Sequence, residues 1–255
     1  MPVHEVAAAG FGGGADAYER GRPSYPPEAV AWLVDALRLR AGVRLVDLAA
    51  GTGKLTRLLA PSGAGVVAVE PVEAMRRVLC ETVPGVAAVA GTAEALPLAA
   101  GSVDAVTVAQ AFHWFDADAA FGELARVVRP GGRVALVWNA RDRQVDWVNE
   151  LWSILDRVEK RAPWRDHERW REEDLGARHG FGPLHARVFA NEQRIARDAV
   201  AARFTSVSHV AVLPEAGQRA VVAEVDAVLD RHPATAGRDE LRIPYLVDAY
   251  WCERR

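Results

Sequence analysis

The chain has 255 residues, of which 50% are hydrophobic and 25% are charged, and its net charge is −3. This balance leaves no basic surface for nucleic acid, and no apolar run approaches the ~20 residues of a membrane-spanning helix. Its two cysteines, Cys80 and Cys252, and its seven scattered histidines have no metal-binding spacing, so we expect no disulfide framework and no metal. The first 17 residues lack the regions of a signal peptide, which favours a cytoplasmic protein.

Apolar runs and helical patterns alternate along the first 140 residues. A helix is predicted from Pro27 to about Leu39, because proline suits a first helical turn and its apolar residues share one face. Pro130-Gly131-Gly132 predicts a turn before the fifth strand. Strands are expected near 43–48, 65–70, 86–90, 103–109 and 132–138, and helices near 54–60, 72–82 and 117–128. Apolar strands separated by helices predict an α/β protein with a parallel sheet covered on both faces.

The pattern changes after Asn139. Helices are plausible over 146–161, 197–208 and 215–231, and the apolar runs over 184–190 and 241–252 predict two more strands. The charged segment over 165–182 ends in glycines and is typical of a loop or cap. No linker rich in proline, glycine or serine separates this half from the first, so one domain with an added helical part is expected.

Five tryptophans cluster after the fifth strand: Trp138, Trp147, Trp152, Trp164 and Trp170. Their helical spacing predicts that some belong to a hydrophobic core, whereas others could line an apolar cleft. For each of them, the core is the favoured interpretation.

The first strand ends in a glycine turn, Asp47-Leu48-Ala49-Ala50-Gly51-Thr52-Gly53. Glycines at the carboxyl end of a strand let a ligand approach the backbone closely. Glu70, followed by Pro71, closes the next apolar run, and a carboxylate in that place can accept hydrogen bonds from a ribose diol. The layout predicts a nucleoside-type cofactor site in an open α/β sheet.

Two better-known phosphate-binding motifs resemble this turn, but neither matches it completely. A dinucleotide fingerprint needs a small residue where Thr56 stands. A P-loop needs serine or threonine after Lys54, which Leu55 follows, and a glycine where Leu48 stands. A pyrophosphate or triphosphate cradle is therefore disfavoured.

The remaining form, Asp-x-Ala-x-Gly-x-Gly, resembles the first motif of class I S-adenosylmethionine-dependent methyltransferases. The resemblance implies S-adenosylmethionine as cofactor and a Rossmann-like, doubly wound, mostly parallel seven-stranded sheet whose last strand is antiparallel. It also implies that Asp47, Ala49, Gly51, Gly53, Glu70 and Pro71 belong to the cofactor site. Ala93 and Glu94, which follow the third strand, match the positions that border the adenine in this class.

A polar and aromatic run, Gln110-Ala111-Phe112-His113-Trp114-Phe115, ends the fourth strand. Methyltransferases of this class place the reacting methyl group there, so Gln110, Ala111 and Phe112 are expected in the cofactor site. His113 has the pKa range of a general base. It could equally pack among the aromatic residues as part of the pocket wall, and both interpretations stay open.

The His-Trp-Phe run and the N-terminal Tyr18-x3-Arg22-Pro23-x-Tyr25-Pro26 resemble one small-molecule branch, which includes trans-aconitate methyltransferase-like and methyltransferase type 11 proteins. In that branch a tyrosine and an arginine close over the methionine end of the cofactor, which implies this role for Tyr18 and Arg22. The implied acceptor is a small carboxylic acid or a secondary metabolite. We accordingly divide the chain into an arm (1–26), a cofactor-binding core (27–140) and a C-terminal half (141–255) that completes the sheet and caps the substrate.

Two other functions remain possible for such a chain. One is a regulatory protein that binds S-adenosylmethionine without turnover, and the other is a nucleotide-dependent oxidoreductase, which Thr56 disfavours. The expected partner is a small-molecule substrate, with no nucleic acid and no membrane, and the protein is expected to be a monomer or a homodimer.

Overall fold

The computed structural model describes residues 22–158, 175–205 and 207–255. Within these residues, seven strands form one sheet in the order β3-β2-β1-β4-β5-β7-β6. The strands are β1 (Arg44–Leu48), β2 (Gly65–Val69), β3 (Ala87–Val89), β4 (Val103–Ala109), β5 (Val128–Arg141), β6 (His185–Ala196) and β7 (Glu240–Glu253). The sheet is doubly wound and Rossmann-like, as the sequence predicts.

The strand directions place the site. β1 pairs in parallel with both β2 and β4, and β4 pairs in parallel with β5. Among the seven strands of the described residues, β7 is the one whose direction is opposite to that of the others, because it pairs antiparallel with β5 and with β6. The chain order reverses between β1 and β4, and in open α/β sheets ligands bind at the carboxyl ends of the strands beside such a switch point.

Helices cover the sheet and extend beyond it. They are α1 (Pro27–Ala36), α2 (Thr56–Leu59), α3 (Glu73–Thr82), α4 (Ala117–Val127), α5 (Asp146–Val158), α6 (Leu175–Arg178), α7 (Arg197–Thr205), α8 (Ser208–Ala211) and α9 (Glu215–Arg231). Among the helices of the described residues, none combines the length and apolar character that crossing a bilayer requires.

The alternation of side chains along β1 shows that both faces of the sheet are buried. Val46 and Leu48 pack with Leu124 of α4 in one hydrophobic cluster. Leu45 points to the other face and packs with Leu33 of α1. A strand buried on both faces reads as a continuous apolar run, which is why the sequence identifies β1 so readily.

Two details of the sheet differ from expectation. The turn at Pro130-Gly131-Gly132 lies inside β5, because Val128 already pairs with Val103 before the register shifts to the pair of Arg133 and Ala105. β6 extends to Ala196, well beyond the predicted residue 190, because it pairs with β7 along its whole length. Polar side chains at 191–193 interrupt the apolar pattern of this edge strand and conceal its second half from sequence analysis.

A second hydrophobic core lies among the C-terminal helices. Here α5, α7, α8 and α9, which we call the helical unit, pack around buried side chains that include Trp152, Phe204 and Leu229. Leu241 and Ile243, at the start of β7, belong to the same core. The same strand then continues into the sheet, so the helical unit packs directly against the sheet on the side of β5 and β7.

Candidate active site

A cavity of about 270 Å³ opens at the carboxyl ends of β1, β4 and β5. One side is the glycine turn, from Ala49 to Leu55, and another is formed by Gln110, His113 and Trp114 after β4. The helical unit and β7 contribute Arg203 and Tyr245. Residues from both halves of the chain therefore enclose one space.

Asp47 fixes the start of the glycine turn. The register pairs Asp47 with Thr107 of β4, whose Oγ1 donates to Asp47 Oδ1 over 2.8 Å, and Thr56 Oγ1 donates to Oδ2 over 2.5 Å. The residue is 1% exposed, and burial raises the pKa of its carboxyl to about 6 against the opposing effect of the threonine hydrogen bonds. The carboxylate thus ties β1, β4 and α2 together at the edge of the cavity.

The glycines of the turn have different surroundings. Gly51 has a φ of +58°, and a Cβ placed on it would meet no described atom within 4 Å, so its backbone faces open space in the cavity. Gly53 has a φ of +84°, and a Cβ there would lie 2.8 Å from Cγ2 of Val83. Gly51 therefore fronts the cavity, whereas Gly53 lets the turn pack against the end of α3.

Glu70 lies against the turn from the end of β2. Its Oε2 accepts from the backbone N–H of Gly51 over 2.9 Å, and its Oε1 accepts from the backbone N–H of Val72 over 2.8 Å. Burial raises the pKa of Glu70, and these two hydrogen bonds and the charge of Arg76 oppose the rise. Arg76 also donates to the carbonyls of Glu70 and Pro71. Each carboxylate oxygen keeps a further lone pair that a ligand hydroxyl could use.

The residues predicted to border the adenine lie together on the far side of this turn. Glu94 Oε1 accepts from the backbone N–H of Asp116 over 3.0 Å, which joins the segment after β3 to the one after β4. Ala93, Ala111 and Phe112 are buried in one hydrophobic cluster. Ala93, Ala111 and Phe112 thus form an apolar wall beside Glu94, and none of these four predicted site residues lines the cavity itself.

Two non-glycine residues hold left-handed backbone conformations in the cavity wall. Ala49 has a φ of +52° at the end of β1, and Gln110 has a φ of +60° at the end of β4. The backbone N–H of Gln110 donates to the carbonyl of Val137 over 2.9 Å, which holds it in place. Such conformations cost roughly 1–2 kcal/mol for a residue with a Cβ, and they concentrate at functional sites.

His113 lies in a single 3-10 turn, Phe112–Trp114, directly after β4. Its ring centroid is 5.1 Å from that of Trp114, its Nδ1 is buried, and both residues line the cavity. A position in the cavity wall is compatible with a general base and equally with a residue that only shapes the pocket.

The N-terminal arm is described only in part. Tyr18 lies outside the described residues, whereas Arg22 lines the cavity. The segment is held two residues later, where the carbonyl of Ser24 accepts from Nδ2 of Asn139 over 3.1 Å and from Nδ2 of Asn191 over 2.7 Å. Arg22 therefore enters the cavity from a chain segment anchored on β5 and β6.

Four residues that line the cavity beside β5 and the helical unit were not predicted from the sequence: Asn139, Arg141, Arg203 and Tyr245. Arg141, Arg203 and Tyr245 come from the C-terminal half, and Asn139 lies just before it, in a region where no motif identifies a site. The available signal was Arg141 itself, a charged residue that ends β5 three residues after its apolar run over 134–138, at the ligand-binding edge of the sheet.

Residues 46–136 match the family described as "Methyltransferase domain". The chain is 42% identical over 236 residues to an uncharacterized methyltransferase of Mycobacterium tuberculosis, covering 92% of each chain. It is 34% identical over 238 residues to an uncharacterized methyltransferase-like protein of Schizosaccharomyces pombe, covering 93% of this chain and 92% of the relative.

Solved structures agree with this similarity. A proposed type II methyltransferase from Anaeromyxobacter dehalogenans superimposes with a TM-score of 0.62 at 27% identity, over 91% of this chain and 97% of the other. Phosphoethanolamine N-methyltransferase 2 of Haemonchus contortus, in complex with S-adenosyl-L-methionine, shares the fold with a TM-score of 0.55 at 15% identity, over 95% of this chain and 57% of the other. The carboxylate of Glu70, which can accept from hydroxyl groups, lies beside the open backbone of Gly51, and Arg22 lines the same cavity, so these residues fit an adenosyl amino acid. The chain therefore belongs to the class I S-adenosylmethionine-dependent methyltransferases, and S-adenosylmethionine is its cofactor.

Proposed function

We propose that this methyltransferase acts on a small-molecule acceptor. The observation that carries the proposal is the cavity of about 270 Å³, enclosed jointly by the cofactor-side turn, His113 and residues of the helical unit and β7. This volume lies near the lower end of the range for small-molecule pockets, roughly 300–1,000 Å³. Because the cofactor occupies part of this cavity, the remaining space suits only a small acceptor, and the helical unit then serves as the substrate cap.

The cofactor side of the site follows from the contacts around the glycine turn. Glu70 accepts from the ribose hydroxyls, and the open backbone of Gly51 allows the ligand to approach the turn. The wall formed by Ala93, Glu94, Ala111 and Phe112 borders the adenine. Arg22, together with Tyr18 of the arm, binds the methionine end.

The enzyme's own contribution is chiefly orientation. Bound S-adenosylmethionine supplies a methyl group that is already activated on a sulfonium sulfur. Some acceptors therefore react without the help of a strong base. The strained residues Ala49 and Gln110 fix the two strand ends on either side of the reacting centre. Holding two reactants in a productive geometry lowers the barrier by itself. His113 then either accepts a proton from the acceptor or orients it.

The proposal is tested by offering labelled S-adenosylmethionine to the enzyme with low-molecular-mass metabolites, and separately with protein and nucleic-acid fractions. We expect labelled product only in the first fraction, together with calorimetric binding of S-adenosylhomocysteine. Label in a macromolecular fraction alone would contradict the small-molecule assignment. Binding without transfer to any fraction would instead favour a regulatory protein.

A pair of glycine variants provides the control. Gly51 and Gly101 have similar left-handed φ values, +58° and +61°, and a Cβ on either would meet no described atom within 4 Å. Alanine at either position therefore introduces similar backbone strain, but only Gly51 fronts the cavity. We expect Gly51→Ala to lose tenfold or more in cofactor affinity and Gly101→Ala to retain it. Equal losses in both variants would remove the role of the Gly51 backbone.

A further inference from the structure

The β5–β7 side of the cavity carries a wall that the cofactor roles leave unused. It consists of Arg141 at the end of β5, Arg203 of α7 and Tyr245 of β7, and we call it the arginine wall. The glycine turn and Glu70 follow β1 and β2, which lie on the other side of β4 in the sheet. The strand β4 thus lies between the arginine wall and the glycine turn with Glu70, where the adenosine part of the cofactor is proposed to bind.

Two guanidinium groups of this wall flank one indole. The Arg141 guanidinium carbon lies 4.9 Å from the ring centroid of Trp152, and that of Arg203 lies 5.7 Å from it. Arg203 donates to Oε1 of Gln193, and the Tyr245 hydroxyl donates to the same oxygen over 3.3 Å. The Tyr245 hydroxyl also forms a hydrogen bond with Arg141. Aromatic stacking and these hydrogen bonds hold the two guanidinium groups at the cavity.

Arg141 carries a positive charge that lies next to other positive charges. Burial, together with the positive charges of Arg203 and Arg22, lowers the pKa of Arg141 to about 9, so the guanidinium remains protonated at neutral pH. Among the described residues, no carboxylate forms an ion pair with Arg141. Partly burying a charge among like charges costs free energy unless a counter-charge compensates it. An anionic ligand in the cavity would supply that compensation.

Trp152 provides an independent observation. It is 3% exposed, and within the described part of the chain its Nε1 has no hydrogen-bond partner. Buried donors are normally satisfied, so such an exception calls for an explanation. This donor belongs to the ring that both guanidinium groups contact. Trp152 does not itself line the cavity, but the two guanidinium groups that contact it do. A group rich in acceptor oxygens, such as a carboxylate or a phosphate, could bind these guanidinium groups.

We propose that the arginine wall binds an anionic group of the methyl acceptor, so that the acceptors of this enzyme are small acids. The proposal rests on the proposed function, because it divides one cavity between cofactor and acceptor. The anionic group is an anchor that fixes the acceptor on the β5–β7 side and presents another part of it to the region of His113. Arg22, which lies on the segment that follows the arm, binds the carboxylate of the cofactor instead.

The test is calorimetric titration of the full chain saturated with S-adenosylhomocysteine. Malonate and methyl phosphate are the anionic probes, and malonamide is the neutral one. We expect an anion to bind in the millimolar range and malonamide to show no heat of binding. The stronger of the two anions identifies the acceptor group as carboxylate or phosphate. Absence of anion binding, in a protein that does bind S-adenosylhomocysteine, overturns this inference and leaves the proposed function standing.

Arg141→Gln is the decisive variant, and Arg143→Gln is its matched control. Arg143 lies two residues further along, pairs with Asp156 and does not line the cavity, so its replacement removes the same charge elsewhere. We expect Arg141→Gln to weaken anion binding tenfold or more while S-adenosylhomocysteine affinity stays within threefold. Arg143→Gln should change neither. A parallel loss of S-adenosylhomocysteine affinity in Arg141→Gln would assign the guanidinium to the cofactor and overturn the inference.

The unliganded protein distinguishes a ligand-binding role from a structural one. Removing an uncompensated charge should leave the Tm of Arg141→Gln unchanged or raised, and a clearly lower Tm would count against the inference. Should that variant fail to fold, Arg141→Lys keeps the charge and loses the planar fork of donors. Anion affinity reduced severalfold in Arg141→Lys supports the inference, and unchanged affinity contradicts it.

Discussion

The backbone N–H of Gly51 donates to the carboxylate of Glu70 over 2.9 Å, across a sequence separation of 19 residues. This hydrogen bond joins the turn after β1 to the end of β2, so the side chain proposed to bind the ribose also holds the turn that the ligand approaches. Glu70 is 5% exposed, which means that its charge depends on the backbone donors around it. A single carboxylate therefore couples the shape of the site to its chemistry.

Replacing Glu70 by alanine should weaken S-adenosylhomocysteine binding by roughly 1–3 kcal/mol, the range for losing a hydrogen-bonded charged acceptor. Titration calorimetry measures the change. Glu73→Ala is the matched control, because that carboxylate lies three residues later and is 80% exposed. Unchanged affinity in Glu70→Ala would remove the ribose role.

The buried carboxyl of Asp47 predicts a pH dependence of stability. Burial raises the pKa of this carboxyl in the folded state to about 6, above its ordinary value of 3.8. Between these two pH values the folded state binds the proton and the unfolded state does not. Stability should therefore fall as pH rises through 6. Between pH 5 and pH 7, the free energy of unfolding of the wild type should fall by about 1 kcal/mol more than that of Asp47→Asn. Urea unfolding at both pH values measures this difference, and a difference independent of pH would show that the pKa is not raised.

Ala49→Gly should raise the free energy of unfolding by about 1 kcal/mol, because glycine adopts a φ of +52° without the clash that a Cβ causes. Ala50→Gly is the control, since its φ is not in the left-handed region and glycine there should destabilise by roughly 0.5–1 kcal/mol. Denaturant unfolding compares the two variants. If both lose stability equally, the left-handed conformation of Ala49 carries no strain.

His113→Asn separates the two roles of this residue. As a general base, His113 should contribute about 10²–10⁴ to the rate, so the variant should lose that factor in kcat and also lose a pH dependence near neutrality. As a wall residue, the variant should show a higher KM with an unchanged pH profile. Cofactor affinity should stay within a few-fold in both cases.

The assay for His113 uses an acceptor found in the labelling screen. A loss of less than tenfold in kcat, together with an unchanged pH profile, would exclude the base. Positioning of the acceptor would then account for the mechanism.

The first half of the fold was predictable because its signals are local. Leu45 and Val46 belong to a strand buried on both faces, and the glycine turn that follows has a fixed spacing to Glu70. The different roles of the two glycines in that turn were not predictable. Gly51 fronts the cavity, whereas Gly53 packs against Val83, which only the tertiary structure reveals. The arginine wall was missed for a similar reason, because Arg141 and Arg203 lie 62 positions apart in the numbering and meet only when β7 brings the helical unit onto the sheet.

β7 has a consequence for how the molecule unfolds. Leu241 and Ile243 are buried in the core of the helical unit, and Val247 and Ala249 are buried in the core of the sheet, all on one continuous strand. Melting the helical unit would expose the first half of a strand whose second half holds β5 and β6 together. Neither core can be lost without weakening the other, so hydrogen exchange should report a single cooperative unit that spans both.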